Sequence, residues 1–269
     1  MLKINQYKTP FKIKTVDQIS FNNKGAIVKP YYVGSIKSVV VNDHNLLYFF
    51  VKKWQLAGKL GKEGITVLNF DAHKDIQRSF IKPPKVETGS IKNKLGEYLY
   101  YSAQLLEEGN FLFPLAQEGS LEKIIWASET LKKVKFKHYI SINKFDLFGK
   151  LRTSLRSFSK PYYVREQLDR LLFDVDMCFV DGNNLVLSID LDYFVIEDNY
   201  IIDHMNLLIK RRKYEQQINE GAFDRFTLCM NVLKEKIGRP LTFICSSSPM
   251  FTSARSAKYI LKRLENILG

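Results

Sequence analysis

The strongest constraint on the fold comes from two short apolar runs, Ile65-Thr-Val-Leu-Asn-Phe70 and Asn184-Leu-Val-Leu-Ser-Ile189, each of which stops on an acidic cluster. Both are too short for a helix and rich in β-branched and aliphatic residues, and the first follows the breaker Gly61-Lys-Glu-Gly64, so both read as buried strands. The first is followed by Asp71-Ala72-His73-Lys74-Asp75 and the second by Asp190-Leu191-Asp192. In open α/β sheets ligands bind beyond the carboxyl ends of the strands, so polar, metal-competent residues there are placed for chemistry rather than for packing.

The rest of the chain predicts strands alternating with helices. Ala26-Ile-Val28 and Ile36-Lys-Ser-Val-Val-Val41 read as early strands. The polar turn Asn42-Asp43-His44-Asn45 then leads into a helix over 46–57 that stops at Gly58. Further helices are expected over 91–108, 164–173, 202–217, 222–237 and 252–267. Strand-like runs fall at 122–126, 133–140, 176–180 and 241–245. Crossover-length helices between strands imply one α/β domain over residues 1–269, with a mainly parallel central sheet and helices on both faces.

A loop leaving the first strand can turn Asp71, His73 and Asp75 toward one point. If the second strand stays extended, its period of two sends Asp190 and Asp192 to one side. Carboxylates with an imidazole suit Mn²⁺ or a similar first-row ion better than a thiolate-seeking structural zinc. Two such ions about 3.5 Å apart would turn a shared water into hydroxide near neutral pH. His44, just ahead of a helix, reads equally well as a ligand or as a turn or capping histidine.

The ordered set Asn42-Asp43-His44, Asp71-Ala72-His73-Lys74-Asp75 and Ser188-Ile189-Asp190-Leu191-Asp192 resembles the motifs of the ureohydrolases, the arginases, agmatinases and their relatives, with the glycine of the first motif replaced. The resemblance implies a three-layer arginase/deacetylase-like fold and two Mn²⁺ ions. One would be held by His44, Asp71, Asp75 and Asp190, the other by Asp71, His73, Asp190 and Asp192. Segments such as Gly109-Asn110-Phe111-Leu-Phe-Pro114, Ile189-Asp-Leu-Asp-Tyr-Phe194 and Ser247-Ser-Pro-Met-Phe-Thr252 are similar to the peptide arginases of ribosomal-peptide biosynthesis, which convert arginine side chains of a precursor peptide to ornithine and urea. The catalytic step implied is attack of a metal-bridging hydroxide, held by Asp71 and Asp190, on the guanidinium carbon, with Asp75 passing a proton to the departing amine.

One departure bears on substrate. Enzymes of the family that act on free arginine carry a guanidinium-gripping glutamate where this chain has Ser246-Ser-Ser-Pro-Met250, which favours arginine within a peptide. Gln77, Glu108, Asn110 and Ser248 are the substrate-contact candidates, with Glu107 and Glu197 as other replacements for the missing carboxylate. His138 and His204 are better read as surface histidines than as proton shuttles. A ureohydrolase for free arginine, agmatine or another small guanidino compound is the alternative; the paired-histidine signature of deacetylases is absent.

The net charge of +13 raises the question of nucleic acid, but the basic runs Lys132-Lys133, Lys135, Lys137 and Lys210-Arg211-Arg212-Lys213 lie in structured segments without an aromatic-interleaved stripe, which argues for solvated faces. Cys178, Cys229 and Cys245 fit neither a disulfide framework nor a zinc site and are expected as buried thiols. With neither a membrane-length apolar stretch nor a secretory signal, a cytoplasmic location is expected, and the pattern leaves the oligomeric state open.

Overall fold

A computed structural model describes residues 12–21, 31–33, 38–72, 81–86, 88–107, 109–132, 135–145, 151–158, 184–195, 217–236, 241–245 and 252–269. Its strands are β1 (Lys12–Lys14), β2 (Tyr31–Val33), β3 (Ser38–Val41), β4 (Ile65–Phe70), β5 (Leu121–Lys132), β6 (Lys135–Phe145), β7 (Leu151–Phe158), β8 (Leu185–Asp190) and β9 (Leu241–Cys245). The helices are α1 (Leu46–Leu56), α2 (Ile91–Tyr100), α3 (Leu112–Gln117), α4 (Glu220–Lys236) and α5 (Ala254–Leu268).

The nine strands among the described residues form one mixed sheet in the order β1-β2-β3-β9-β8-β4-β5-β6-β7. The run β3-β9-β8-β4-β5 is parallel throughout. The parallel expectation holds there and fails at the margins, where β2 runs against β3 and β5, β6 and β7 form an antiparallel meander. For β5 and β6 the reason is connection length: only two residues separate them in the sequence, too few for the crossover a parallel pair needs.

Strand alternation divides the core. Val39, Val41, Ile65, Val67 and Val186 pack with α1, α3 and the end of α2, while Val40, Leu68, Phe70, Leu185, Leu187 and Ile189 pack with α4 and α5. Consecutive apolar residues of β3, β4 and β8 thus enter opposite clusters, one packed with α1, α3 and the end of α2 and the other with α4 and α5. β4 and β8 are buried at every position, which explains why they read as continuous apolar runs rather than alternating ones.

Two local devices set the strands that matter. Gly61 donates its N–H to Asn184 Oδ1 at 2.9 Å, and a Cβ there would sit 2.4 Å from that oxygen, so a side chain at this position would push the Asn184 amide aside and break the bond that ties the approach of β4 to the start of β8. Ser90 and Ser253 accept N–H bonds from Asn93 and Ser256 and so cap α2 and α5. The helix expected over 91–108 is shorter as an α-helix: after Tyr100 it widens into a π-turn over Tyr101–Leu105. The expected strands at 26–28 and 176–180 and the helix at 164–173 lie outside the described residues, as does nearly all of the one at 202–217.

A candidate metal centre at the strand ends

Adjacent parallel strands bring the two acidic clusters together. β4 pairs with β8 so that Asn69 lies opposite Ser188 and Phe70 opposite Ile189. Asn69 shares its strand face with Val67, and Ser188 with Val186, on the side covered by α1 and α3. One step beyond, Asp71 and Asp190 follow on the same face, and both are buried.

The third member comes from β3. Its chain turns through Asn42–Asn45 into α1, and the Leu47 N–H bonds the His44 carbonyl at 3.0 Å, so His44 sits in the entry to a buried helix. Asn45 next to it donates Nδ2 to the Leu106 carbonyl at 2.9 Å and receives the Ser102 hydroxyl on its own carbonyl, which ties this turn to the end of α2. His44 is 1% exposed, with Nδ1 3.2 Å from Asp71 Oδ2 and 3.4 Å from Asp190 Oδ2. Its Nε2 lies 2.7 Å from Ser188 Oγ, and the Phe111 ring closes its side at a centroid distance of 4.6 Å.

The ligand atoms of His44, Asp71 and Asp190 all lie within 4.8 Å of one another, and this group could hold a metal ion. Each carboxylate is held by the chain. Asn69 donates Nδ2 to Asp71 Oδ2 at 3.3 Å, and Asp190 Oδ1 accepts the Asp192 N–H at 3.1 Å while its Oδ2 faces His44. Two carboxylates both ionised at this separation would repel by about 3.5 kcal/mol at an effective dielectric of about 20, and at a buried site a cation is a natural counterweight. Asn69 Oδ1, buried beside them, has no hydrogen-bond partner among the described residues. Oxygen and imidazole donors with an acceptor to spare fit a hard or borderline divalent ion.

Asp192 arrives by a different route from the one the alternation predicts. The extended chain ends at Asp190, and Leu191–Phe194 form a 3-10 turn capped by the Asp190 side chain. Asp192 is buried, with Oδ1 accepting the Ala72 N–H at 3.2 Å, so it stitches the end of β8 to that of β4 and stays outside the three-residue group. Asn110 Oδ1 accepts the Glu107 N–H at 3.1 Å, making Asn110 a turn former immediately before Phe111, and Glu107 is exposed. The backbone of His138 pairs within the β5-β6-β7 meander. His73, Asp75, Gln77, Glu108, Glu197, His204 and Ser248 lie outside the described residues.

Asn69 and Phe111 were not singled out from sequence, and Ser188 stood in the third motif without an assigned role. Asn69 and Ser188 carried a legible signal, being polar residues two positions before an aspartate in an otherwise apolar run. Phe111 carried none, since only tertiary packing brings it to His44.

No protein-family model matches this chain, and no curated protein matches it.

Proposed function

We propose that this chain is a binuclear manganese hydrolase of the three-layer ureohydrolase type, cleaving the guanidino group of arginine side chains in a peptide to give ornithine and urea. The observation that carries the reading is the convergence of His44, Asp71 and Asp190, one residue from each of the three ordered motifs, in a buried group at the strand ends. In this reading His44, Asp71, Asp75 and Asp190 hold one ion and Asp71, His73, Asp190 and Asp192 the other. When bound, the ions supply Lewis acidity and a water acidic enough to ionise near neutral pH.

The chain's own part is rigid placement. Asn69 and the capping of the Asp192 N–H hold the two central carboxylates, and Ser188 Oγ orients the His44 ring so that Nδ1 faces them. Phe111 keeps water from the flank of His44. Hydrolysis adds water at the guanidinium carbon and breaks its bond to the side-chain Nε. The leaving amine takes a proton, for which Asp75 is the donor, and the remainder departs as urea.

The test is direct. Purified protein incubated with MnCl₂ and an arginine-containing peptide should release urea and lose CH₂N₂ per modified arginine by mass spectrometry, with free arginine a poorer substrate. Manganese-loaded protein that releases urea from neither substrate would overturn the reading; equal turnover of free arginine would shift it to the small-molecule alternative.

A further inference from the structure

We infer that the groove between α2 and the segment 81–86 is a docking site for an acidic, extended stretch of the peptide substrate; this deepens the peptide-hydrolase reading and rests on it. The groove has a volume of about 610 Å³ and is lined by Lys82, Lys92, Gly96, Glu97, Tyr100 and Tyr101, among others. Gly96 is the key residue. It sits inside an α-helix, where glycine is the least favourable residue short of proline, and a Cβ added there would meet nothing within 4 Å. Among the described residues nothing packs where its side chain would stand, which leaves room for a peptide backbone to lie close along the helix.

The surroundings match such an occupant. Tyr100 is 53% exposed, and Ile81 and Ile91, each beside a lining lysine, are 42% and 61% exposed. Tyr100, one of the four large hydrophobic side chains exposed among the described residues, lines the groove itself and offers an apolar contact to an occupant. Lys82 and Lys92 are both exposed and outnumber Glu97, so the charge complement is an acidic segment, in keeping with the +13 of the whole chain.

The groove is also coupled to the metal centre. The Tyr101 hydroxyl donates to the Ile81 carbonyl at 2.7 Å, fixing the groove wall, and the next residue, Ser102, bonds the carbonyl of Asn45, neighbour of His44. That junction is the π-turn, a distortion frequent at functional sites. A peptide held here lies along the element that braces the His44 turn.

The test measures fluorescence anisotropy of the full chain with a fluorescein-labelled peptide of glutamate, leucine and one central arginine, beside a control with lysine in place of glutamate. The glutamate peptide should bind tighter by on the order of tenfold, and Gly96→Leu and the pair Lys82→Glu with Lys92→Glu should each remove most of that advantage. Urea release from free arginine should be unchanged in these variants. Gly96→Ala, which should raise helix stability, shows by circular dichroism that the helix tolerates a side chain. Equal binding of the two peptides, wild-type affinity in Gly96→Leu, or equal displacement of peptide from wild type and Gly96→Leu by an oligonucleotide would overturn the docking site. The two readings fail separately. Groove-dependent binding without urea release overturns the hydrolase and keeps the groove; peptide turnover untouched by Gly96→Leu does the reverse.

Discussion

Asp190→Asn separates a metal ligand from a structural counter-charge. Asparagine keeps an oxygen able to accept the Asp192 N–H, so the cap at the end of β8 survives. In the metal-free protein the change deletes a repulsion with Asp71 of about 3.5 kcal/mol; with His44 protonated it also deletes an attraction of comparable size and stability should move by less than about 2 kcal/mol, and with His44 neutral the variant should gain stability instead. The metal-dependent term is different. An ion present at about 100 times its Kd stabilises the native state by about 2.7 kcal/mol, and for a chain of this size each kcal/mol is worth about 2–4 °C in Tm. Wild type should therefore melt about 5–10 °C higher with MnCl₂ than with EDTA, and Asp190→Asn should show almost none of that rise. Differential scanning calorimetry on both proteins, with and without metal, gives the four values needed. The reasoning is refuted if the variant keeps the metal-dependent rise. It is equally refuted if metal-free Asp190→Asn loses 3–5 kcal/mol, the cost of breaking a buried pair, since Asp190 would then be the permanent partner of His44.

Ser188→Ala should leave the His44 Nε2 without its bond, destabilising the fold by about 1–3 kcal/mol and weakening Mn²⁺ binding by about 10–100-fold in isothermal titration; Ser188→Thr, which keeps the hydroxyl, should restore most of both. Phe111→Ala empties a fully buried ring site and should cost about 3–5 kcal/mol in urea unfolding, whereas a loss below about 1 kcal/mol would mean that the His44 contact is incidental. Burial pushes the Cys229 thiol up to about 12 from its ordinary value near 9. Above pH 9 the unfolded chain therefore sheds a proton that the folded one keeps, and stability falls as pH rises, by up to about 1.4 kcal/mol per pH unit from this group. Cys229→Val should flatten that alkaline limb by this amount in denaturant titrations, and iodoacetamide should label Cys229 only after unfolding.

Much of the central framework was readable because it rests on short-range patterns. β4 occupies the predicted 65–70, β9 the predicted 241–245, and α1 begins where the polar turn ends. Where reading failed, a longer-range term had prevailed. The antiparallel meander of β5, β6 and β7 depends on which edge the chain pairs with, and local propensity is silent on that. The early strands β1 and β2, three residues each, carry too little pattern to be seen. The period-two argument that placed Asp192 beside Asp190 assumed an extended chain, and the Asp190 side chain ends that extension by capping a 3-10 turn.

The site divides in the same way. That carboxylates stand at the ends of two buried strands follows from sequence alone, since a run of apolar residues broken by aspartate has its break where the sheet ends. That Asp71 and Asp190 face each other follows from the parallel register of β4 with β8, a pairing between segments far apart in the chain. His44 could be read either way until the turn into α1 placed its Nδ1 against both aspartates and its Nε2 against Ser188. Residue type sets which atoms are able to bind a cation, and periodicity sets which face each side chain takes. Convergence within a few ångströms is a property of the sheet, because only tertiary packing offsets the cost of bringing like charges together out of water.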